Sequence, residues 1–473
     1  MSGSTHLTNN FTGTGTSTGD KVTYSVWIKR MDPEGDTRST VISAAQDGTN
    51  YTKIRFADDD KFHIYGLHSS STNFNVYADK QCRDTNAWYH LVWQIDTTHA
   101  TESERVKIWI NGESISISGQ MPSQNHPVYT LKENDMEIGR NAQSDNEHFD
   151  GLMSHFHCCH GYLYDPTSFG STDATTGEWK IIASPSVSYG TKGWFIFKDN
   201  ASVSDQSGNG NDFTVSGGSL EASEDNPSNS FCVMSNHHHD YGNENTDLGS
   251  SNNFVYPRAN ANFNYAVSNM AMPKGNGKFY AEVKYVAYDS VNAGVGIIDV
   301  DYATELFYEN RSLMEQTQNT YLGRVIYTIN GYSIVPSTEN QSYGSSWSDG
   351  DIIQIACDME NGAIYFGKNG TWQNSGDPTS GASKTGAIDI SAQSWYTSTS
   401  HWQFWCGDKT SNHDRFSWNF GNGYFPTQSG SFGSQTYGGT TVSSAGTNAS
   451  NNGIFEYDVP TGYTALSTKG LNL

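Results

Sequence analysis

Three carboxylates at alternate positions, Glu133, Asp135 and Glu137, are the residues best spaced for chemistry in this sequence. Successive side chains on a β-strand point to opposite faces, so Glu133-Asn134-Asp135-Met136-Glu137 would bring all three acids to one face. Two such groups can act as acid and nucleophile in glycoside hydrolysis; the plainer reading is a solvated strand face. His237-His238-His239, followed by Asp240, offers metal-ligand side chains. Consecutive histidines on extended backbone alternate, so at most two converge, and a solvated loop is the plainer reading. His155 and His157 would share one face of a stretch that also carries Cys158, Cys159 and His160, which suits either a metal pair or a core strand.

Asp205-Gln206-Ser207-Gly208-Asn209-Gly210-Asn211-Asp212 strings oxygen ligands between glycines, as a Ca²⁺ loop does. The twelfth position from Asp205 is Ser216, where the EF-hand pattern requires Glu, so a Gly/Asn turn is the simpler expectation. A structural Ca²⁺ stays open and no cofactor is assigned. Trp395-Tyr396 and His401-Trp402-Gln403-Phe404-Trp405 form the densest aromatic cluster. Sugar rings stack on exposed aromatic faces, which makes Trp395, Tyr396, Trp402 and Trp405 the candidate ligand-contact residues. The plainer reading is a core strand with Trp402 and Phe404 inward. No Gly-rich phosphate loop or serine nucleophile elbow sits between a strand and a helix, so nucleotide chemistry and elbow-type hydrolysis drop out.

The elements that must position these residues are strands throughout. Val22, Tyr24, Val26 and Ile28 alternate onto one face. Lys53–Phe56 and Phe62–Tyr65 flank Ala57-Asp58-Asp59-Asp60-Lys61 as a hairpin, Trp88–Ile95 is a further strand, and Val106–Ile110 runs into Asn111-Gly112, a strong hairpin turn. Phe279–Tyr285 and Ile352–Cys357 continue the pattern, and Ile454–Tyr457 is a last short strand. Many short strands separated by turns imply packed sandwiches. The expected units are residues 1–165, a bridging segment 166–230, a second unit 231–425, and 426–473, a Gly/Ser-rich tract with a C-terminal strand.

Hydrophobic residues are only 35% of the 473, which alone would suggest disorder, but the 13% aromatic share argues for a folded chain. The formal net charge of −23 repels phosphate backbones and anionic membranes, so neither nucleic acid nor membrane insertion is expected. The six cysteines Cys82, Cys158, Cys159, Cys232, Cys357 and Cys406 are sparse, include no CxxC pair, and read as buried free thiols. The start, MSGSTHLTNNFTGTG, has neither a basic region nor an apolar stretch and does not read as a signal peptide. An outward-looking surface without an export signal points to a particle released by lysis.

The pieces YSVWIKR (Tyr24 to Arg30), AWYHLVWQID (Ala87 to Asp96), RVKIWINGE (Arg105 to Glu113) and the stretch from Glu137 to Gly170 together resemble a laminin-G-like, concanavalin A-type jelly roll. KFYAEVKY (Lys278 to Tyr285), GVGIIDVD (Gly294 to Asp301), SDGDIIQIACDMENGAIYFGKNGTWQ (Ser348 to Gln373) and NFGNGYF (Asn419 to Phe425) resemble a SPRY domain. With SFGSTDATTGEW (Ser168 to Trp179) and PTGYTALSTKGLNL (Pro460 to Leu473), the whole resembles virion proteins of marine phages. Laminarinase-like glycosidases, built on the same jelly roll, carry apolar residues between the acids of their ladder; here one of those positions is Asn134.

The resemblance implies an all-β chain of two tandem sandwiches with loop-rich linkers. It further implies a non-enzymatic virion surface protein, assembled in a host cytoplasm. Its role would be in a tail fibre or an associated adhesin, recognising host-surface glycan or protein. The partners expected are other virion proteins, a host receptor and further copies of the chain. The alternatives are a capsid or tail decoration protein and, less favoured, a glycan hydrolase using the Glu133 ladder.

Overall fold

A computed structural model describes the chain except residues 1–4, 11–20, 32–37, 133–134, 200, 221, 236–245, 250–252, 258–264, 287–292, 300–322, 337, 397–400, 409–413, 426–439, 442–452 and 473. Two compact units emerge. One holds residues 1–222 with 226–228; the other holds 223–225 with 229–473. Among the described residues the regular elements are β-strands and short 3₁₀ turns.

The first unit is a sandwich of antiparallel sheets. The larger sheet runs, in spatial order, Ile117–Gln120, Ser71–Gln81, Lys61–His68, Asn50–Phe56, Ser39–Asp47, Asp135–Ile138, His6–Asn10 and Thr214–Ser216. Facing it are Trp194–Ile196, Gly151–His160, Lys21–Arg30, Tyr89–Asp96, Val106–Ile110 and Glu113–Ser114. Alternation builds the core: Ile42, Ile54, Ile64 and Val76 from one sheet meet Tyr24, Val26, Trp93 and Ile95 from the other, all fully buried. The Tyr24 and Trp93 rings stack at 5.0 Å, and Phe156 meets Trp194 edge-on at 4.9 Å. Such pairs add roughly 0.5–1.5 kcal/mol beyond the area they bury. Asn111-Gly112 forms the two-residue turn between Ile110 and Glu113, with φ of 52° and 80°, the left-handed pair that a type I′ hairpin requires. The returning strand is only Glu113–Ser114; the chain then crosses, and Ile117–Gln120 edges the opposite sheet.

Residues 166–230 do more than bridge. Trp194–Ile196 pairs with Gly151–His160, and Thr214–Ser216 pairs with His6–Asn10, so this segment supplies an edge to each sheet of the first unit. The physical reason is Trp194, Ile196 and Phe213, whose apolar side chains join the core.

The second unit is again a sandwich of two sheets. One centres on Ala293–Asp299 and His401–Asp408, the other on Lys278–Val286 and Ile352–Asp358. Ile352–Asp358 and Ala363–Lys368 form a hairpin in which Ile355 opposes Phe366. Ile353, Ile355, Cys357, Ile364 and Phe366 all enter the core between the sheets. Residues from 453 onwards are a working part of this unit. Thr464–Ala465 lies parallel to Lys278–Val286, and Phe455, Val459, Tyr463 and Ala465 bury the outer face of that sheet against Tyr280, Ala356 and Tyr365. Phe231 bridges to Ser467 and the Cys232 amide donates to the Leu466 carbonyl, so the unit's opening and closing residues are paired. Most of the 428–453 tract lies outside the described residues.

Candidate ligand-binding cleft

The larger sheet of the first unit has one face in the core and one face open. On three neighbouring strands the odd-numbered positions point away from the core: Tyr51, Lys53 and Arg55; His63 and Tyr65; Asn75 and Tyr77. Pairing sets them in rows, Lys53 opposite Tyr65 and Tyr65 opposite Asn75, then Arg55 opposite His63 and His63 opposite Tyr77. With Arg38 they line a cleft of about 320 Å³. That volume lies at the small end of the roughly 300–1,000 Å³ of ligand sites.

Within the cleft the polar groups hold one another in place. Arg55 Nε–H donates to His63 Nδ1 at 3.2 Å, which leaves the ring proton on Nε2, 2.7 Å from Asn75 Oδ1. Burial, reinforced by the Arg55 charge, drives the His63 pKa down to about 4, so this imidazole is neutral. Its ring stacks flat on Tyr77 at 4.0 Å. Arg55 also reaches Glu147 Oε1 at 2.7 Å, and Thr40 donates to Glu147 Oε2. Burial would raise the Glu147 carboxyl, but Arg55, Lys53 and Thr40 together hold it below its ordinary value.

Lys53 is different. Its side chain is 8% exposed, the nearest carboxylate oxygen among the described residues is 3.7 Å away, and its ammonium lies 5.0 Å over the Tyr51 ring. Burial lowers its pKa despite Glu147. Tyr51 and Tyr65, half-buried with ring centroids 6.0 Å apart, form the aromatic wall beside it. The assembly can bind a small polar ligand by ring stacking and charge-assisted hydrogen bonds. The sequence reading missed it, although the signal was present: aromatic and basic residues at every second position on successive strands.

The residues singled out by sequence take other places. Glu137 is buried on an interior strand, and Arg140 grips its carboxylate through Nε and Nη2, the latter at 2.8 Å. It is neither a solvated face nor a free acid; Glu133 and the Asp135 side chain lie outside the described residues. Trp395, Tyr396, Trp402 and Trp405 are 6%, 6%, 0% and 2% exposed, so their rings offer no face to a sugar. His401–Asp408 is a central strand covered on both sides, and Trp395 and Tyr396 gather over Trp402 at 5.7 and 5.9 Å.

His155 sits at φ 48° in a bulge, and His157 is buried flat against Phe195 at 3.9 Å, with Nδ1 held by the Tyr189 hydroxyl. Among the described residues no three ligating side chains are grouped for a metal. His237, His238, His239 and Asp240 lie outside the described residues. In the Asp205 loop the Asp205 carboxylate accepts the amides of Phe195, Ser207 and Asn211, while the Asn209 and Asn211 side chains both donate to the Gly193 carbonyl. The loop staples itself to the edge strand.

A buried Ser25–His90 pair, 2.8 Å apart, resembles a nucleophile and base. Trp179 Nε1–H donates to His90 Nδ1, so the ring's proton is on Nε2 and points at Ser25 Oγ. The imidazole therefore cannot take a proton from that serine.

Residues 3–163 match the family model for the concanavalin A-like lectin/glucanases superfamily, Laminin_G_3. A search of curated proteins returns no match. Similar solved structures include the SPRY domain of human HERC1, at 14% identity over 35% of this chain and 87% of that one, with a TM-score of 0.25. Domains LG4-5 of the mouse laminin alpha1 chain match at 9% identity over 91% and 82%, with a TM-score of 0.26. Domain 4 of AbnA, an extracellular arabinanase from Geobacillus stearothermophilus solved with arabinotriose, matches at 20% identity over 30% and 60%, with a TM-score of 0.23.

Proposed function

We propose that this chain is a recognition protein that binds glycan through the open-face cleft of its first unit and performs no catalysis. The observation that carries the reading is the juxtaposition of the half-buried Tyr51 and Tyr65 rings with the buried Lys53 ammonium at the wall of a cleft of about 320 Å³. The lectin-type family match over residues 3–163 supports it. The binding rather than hydrolytic reading rests on Glu137, whose carboxylate is occupied by Arg140.

The setting we propose is a virion surface, on a tail fibre or an associated adhesin, assembled in a host cytoplasm beside other virion proteins and further copies of this chain. The resemblance of the chain as a whole to virion proteins of marine phages supports that setting, and the net charge of −23 argues against nucleic-acid or membrane partners. Among the described residues no helix is long and apolar enough to cross a membrane. The test has two arms: a glycan array probed with the full chain, and antibody labelling of purified particles by electron microscopy. Array binding that Tyr65→Ala abolishes, with label on particles, is the expected result. An unchanged array profile in Tyr65→Ala would remove the cleft from the reading.

A further inference from the structure

Among the described residues, Lys53 is the least satisfied charge around the cleft. An ammonium has three donors. This one is nine-tenths buried, and its nearest carboxylate oxygen, on Glu147, stands at 3.7 Å and is shared with Arg55 at 2.7 Å. Burying a cation without close acceptors is costly, and the cost falls when an anion arrives. Arg38 adds a second cation at the mouth, 47% exposed and only loosely matched to an exposed Asp58 at 3.3 Å. The cleft lining thus gathers Arg38, Lys53 and Arg55, the last two sharing the partly buried Glu147 carboxylate, in a chain whose overall charge is −23.

Resting on the glycan-binding reading, we infer that the ligand is a sugar end group carrying an anionic oxygen substituent, a carboxylate or a sulfate, seated on Lys53 with its ring against Tyr51 and Tyr65. Size and field choose the end group over a long polyanion. The cleft accommodates about one or two sugar rings, and the acidic surface repels a chain of repeated negative charges. His63 cannot supply a further positive charge, because Arg55 donates to its Nδ1. Anion recognition therefore falls on the lysine and the arginines.

The experiment titrates the full chain with glucuronic acid, galactose 6-sulfate, glucose and galactose, followed by NMR and calorimetry. The expected result is that at least one anionic sugar binds about tenfold or more tightly than its neutral counterpart, and that the margin shrinks as salt rises. Lys53→Gln should erase the margin, and Lys53→Arg should retain part of it. Arg38→Ala, at an exposed position where folding is safe, should narrow it. Binding of only the carboxylate or only the sulfate upholds the inference and names the anion. Equal affinity for neutral and anionic sugars, unchanged in Lys53→Gln and Arg38→Ala, would overturn it while leaving glycan binding intact. Failure of all four sugars, together with no array signal, would remove the glycan reading itself.

Discussion

The Trp179 indole N–H donates to Nδ1 of His90 at 2.8 Å, and the two rings lie nearly parallel at 5.9 Å. His90 also stacks with Trp27 at 4.7 Å. The hairpin Gly170–Thr172 with Trp179–Ile181 is thereby pinned to the outer side of the smaller sheet. Gly112 and Gly170 make room for the indole: a Cβ on either would stand 2.6 Å from a ring carbon. Trp179→Ala should cost about 2–4 kcal/mol, with Gly170→Ala in the same direction. Ser25→Ala should cost about 1–3 kcal/mol by stranding the His90 Nε2–H, with ligand binding untouched. Denaturant titration followed by tryptophan fluorescence reads all three.

Several buried histidines make the first unit acid-sensitive. Burial holds His63, His126 and His155 down to about 4 and His90 to about 3, against an ordinary value of 6.5. Between those limits the unfolded chain binds more protons than the folded one, so stability is lost as pH falls from about 6.5 towards 4. Each histidine contributes about 1.4 kcal/mol per pH unit across that window. Melting of the full chain from pH 7.5 to 4.5 should show the first unit's transition moving down. A first-unit transition that does not move would contradict their burial.

Glu282 has the opposite sign. Its carboxylate is buried at the outer face of Lys278–Val286, where Oε1 accepts from the Tyr280 hydroxyl and the Tyr457 amide, and Oε2 accepts from the Glu456 amide. Burial outweighs these donors and raises its pKa from 4.5 to about 7. The folded state therefore holds the proton longer, and this group's contribution falls as pH rises from about 4.5 through 7. Glu282→Gln places an amide donor against a backbone donor. Hydrogen exchange at residues 456 and 457 should quicken, and the second unit's dependence on this window should vanish.

The thiols should be silent in the native protein. All six cysteines are free and buried, and burial pushes Cys82 and Cys159 up to about 12. Thiolate is the reactive form, so iodoacetamide at pH 8 should label none until denaturant is added, and then all six. A disulfide recovered by mass spectrometry would break this expectation.

Glu137→Gln separates structure from catalysis. Loss of the two-point contact with Arg140 should destabilise by about 1–3 kcal/mol. Incubation of either form with laminarin or agar should release no reducing ends. Turnover by the parent that the variant lacks would restore the hydrolase reading.

What could be read from the sequence was whatever is local. Asn111-Gly112 dictates its own turn, and Ile353, Ile355 and Cys357 show their shared face by alternation alone. The unread part depends on pairing. Tyr51, His63 and Asn75 belong to different strands, and only the register between those strands makes them one wall. The aromatic strand around Trp402 admits two readings for a related reason, and burial bears out the core one, with Trp402 and Phe404 inward. A strand buried on both faces loses its alternation, so an aromatic run there looks the same as an exposed platform. Trp194–Ile196 and Thr214–Ser216 are too short to declare a sheet, and borrow their stability from Gly151–His160 and His6–Asn10.

The bridge between Phe231 and Ser467, with the Cys232 amide on the Leu466 carbonyl, brings the two boundaries of the second unit to one place. A unit that enters and leaves its own fold side by side can be lifted out of one chain and set into a loop of another without stretching either. Its order along the backbone could then be changed by joining the two boundaries and reopening the chain elsewhere.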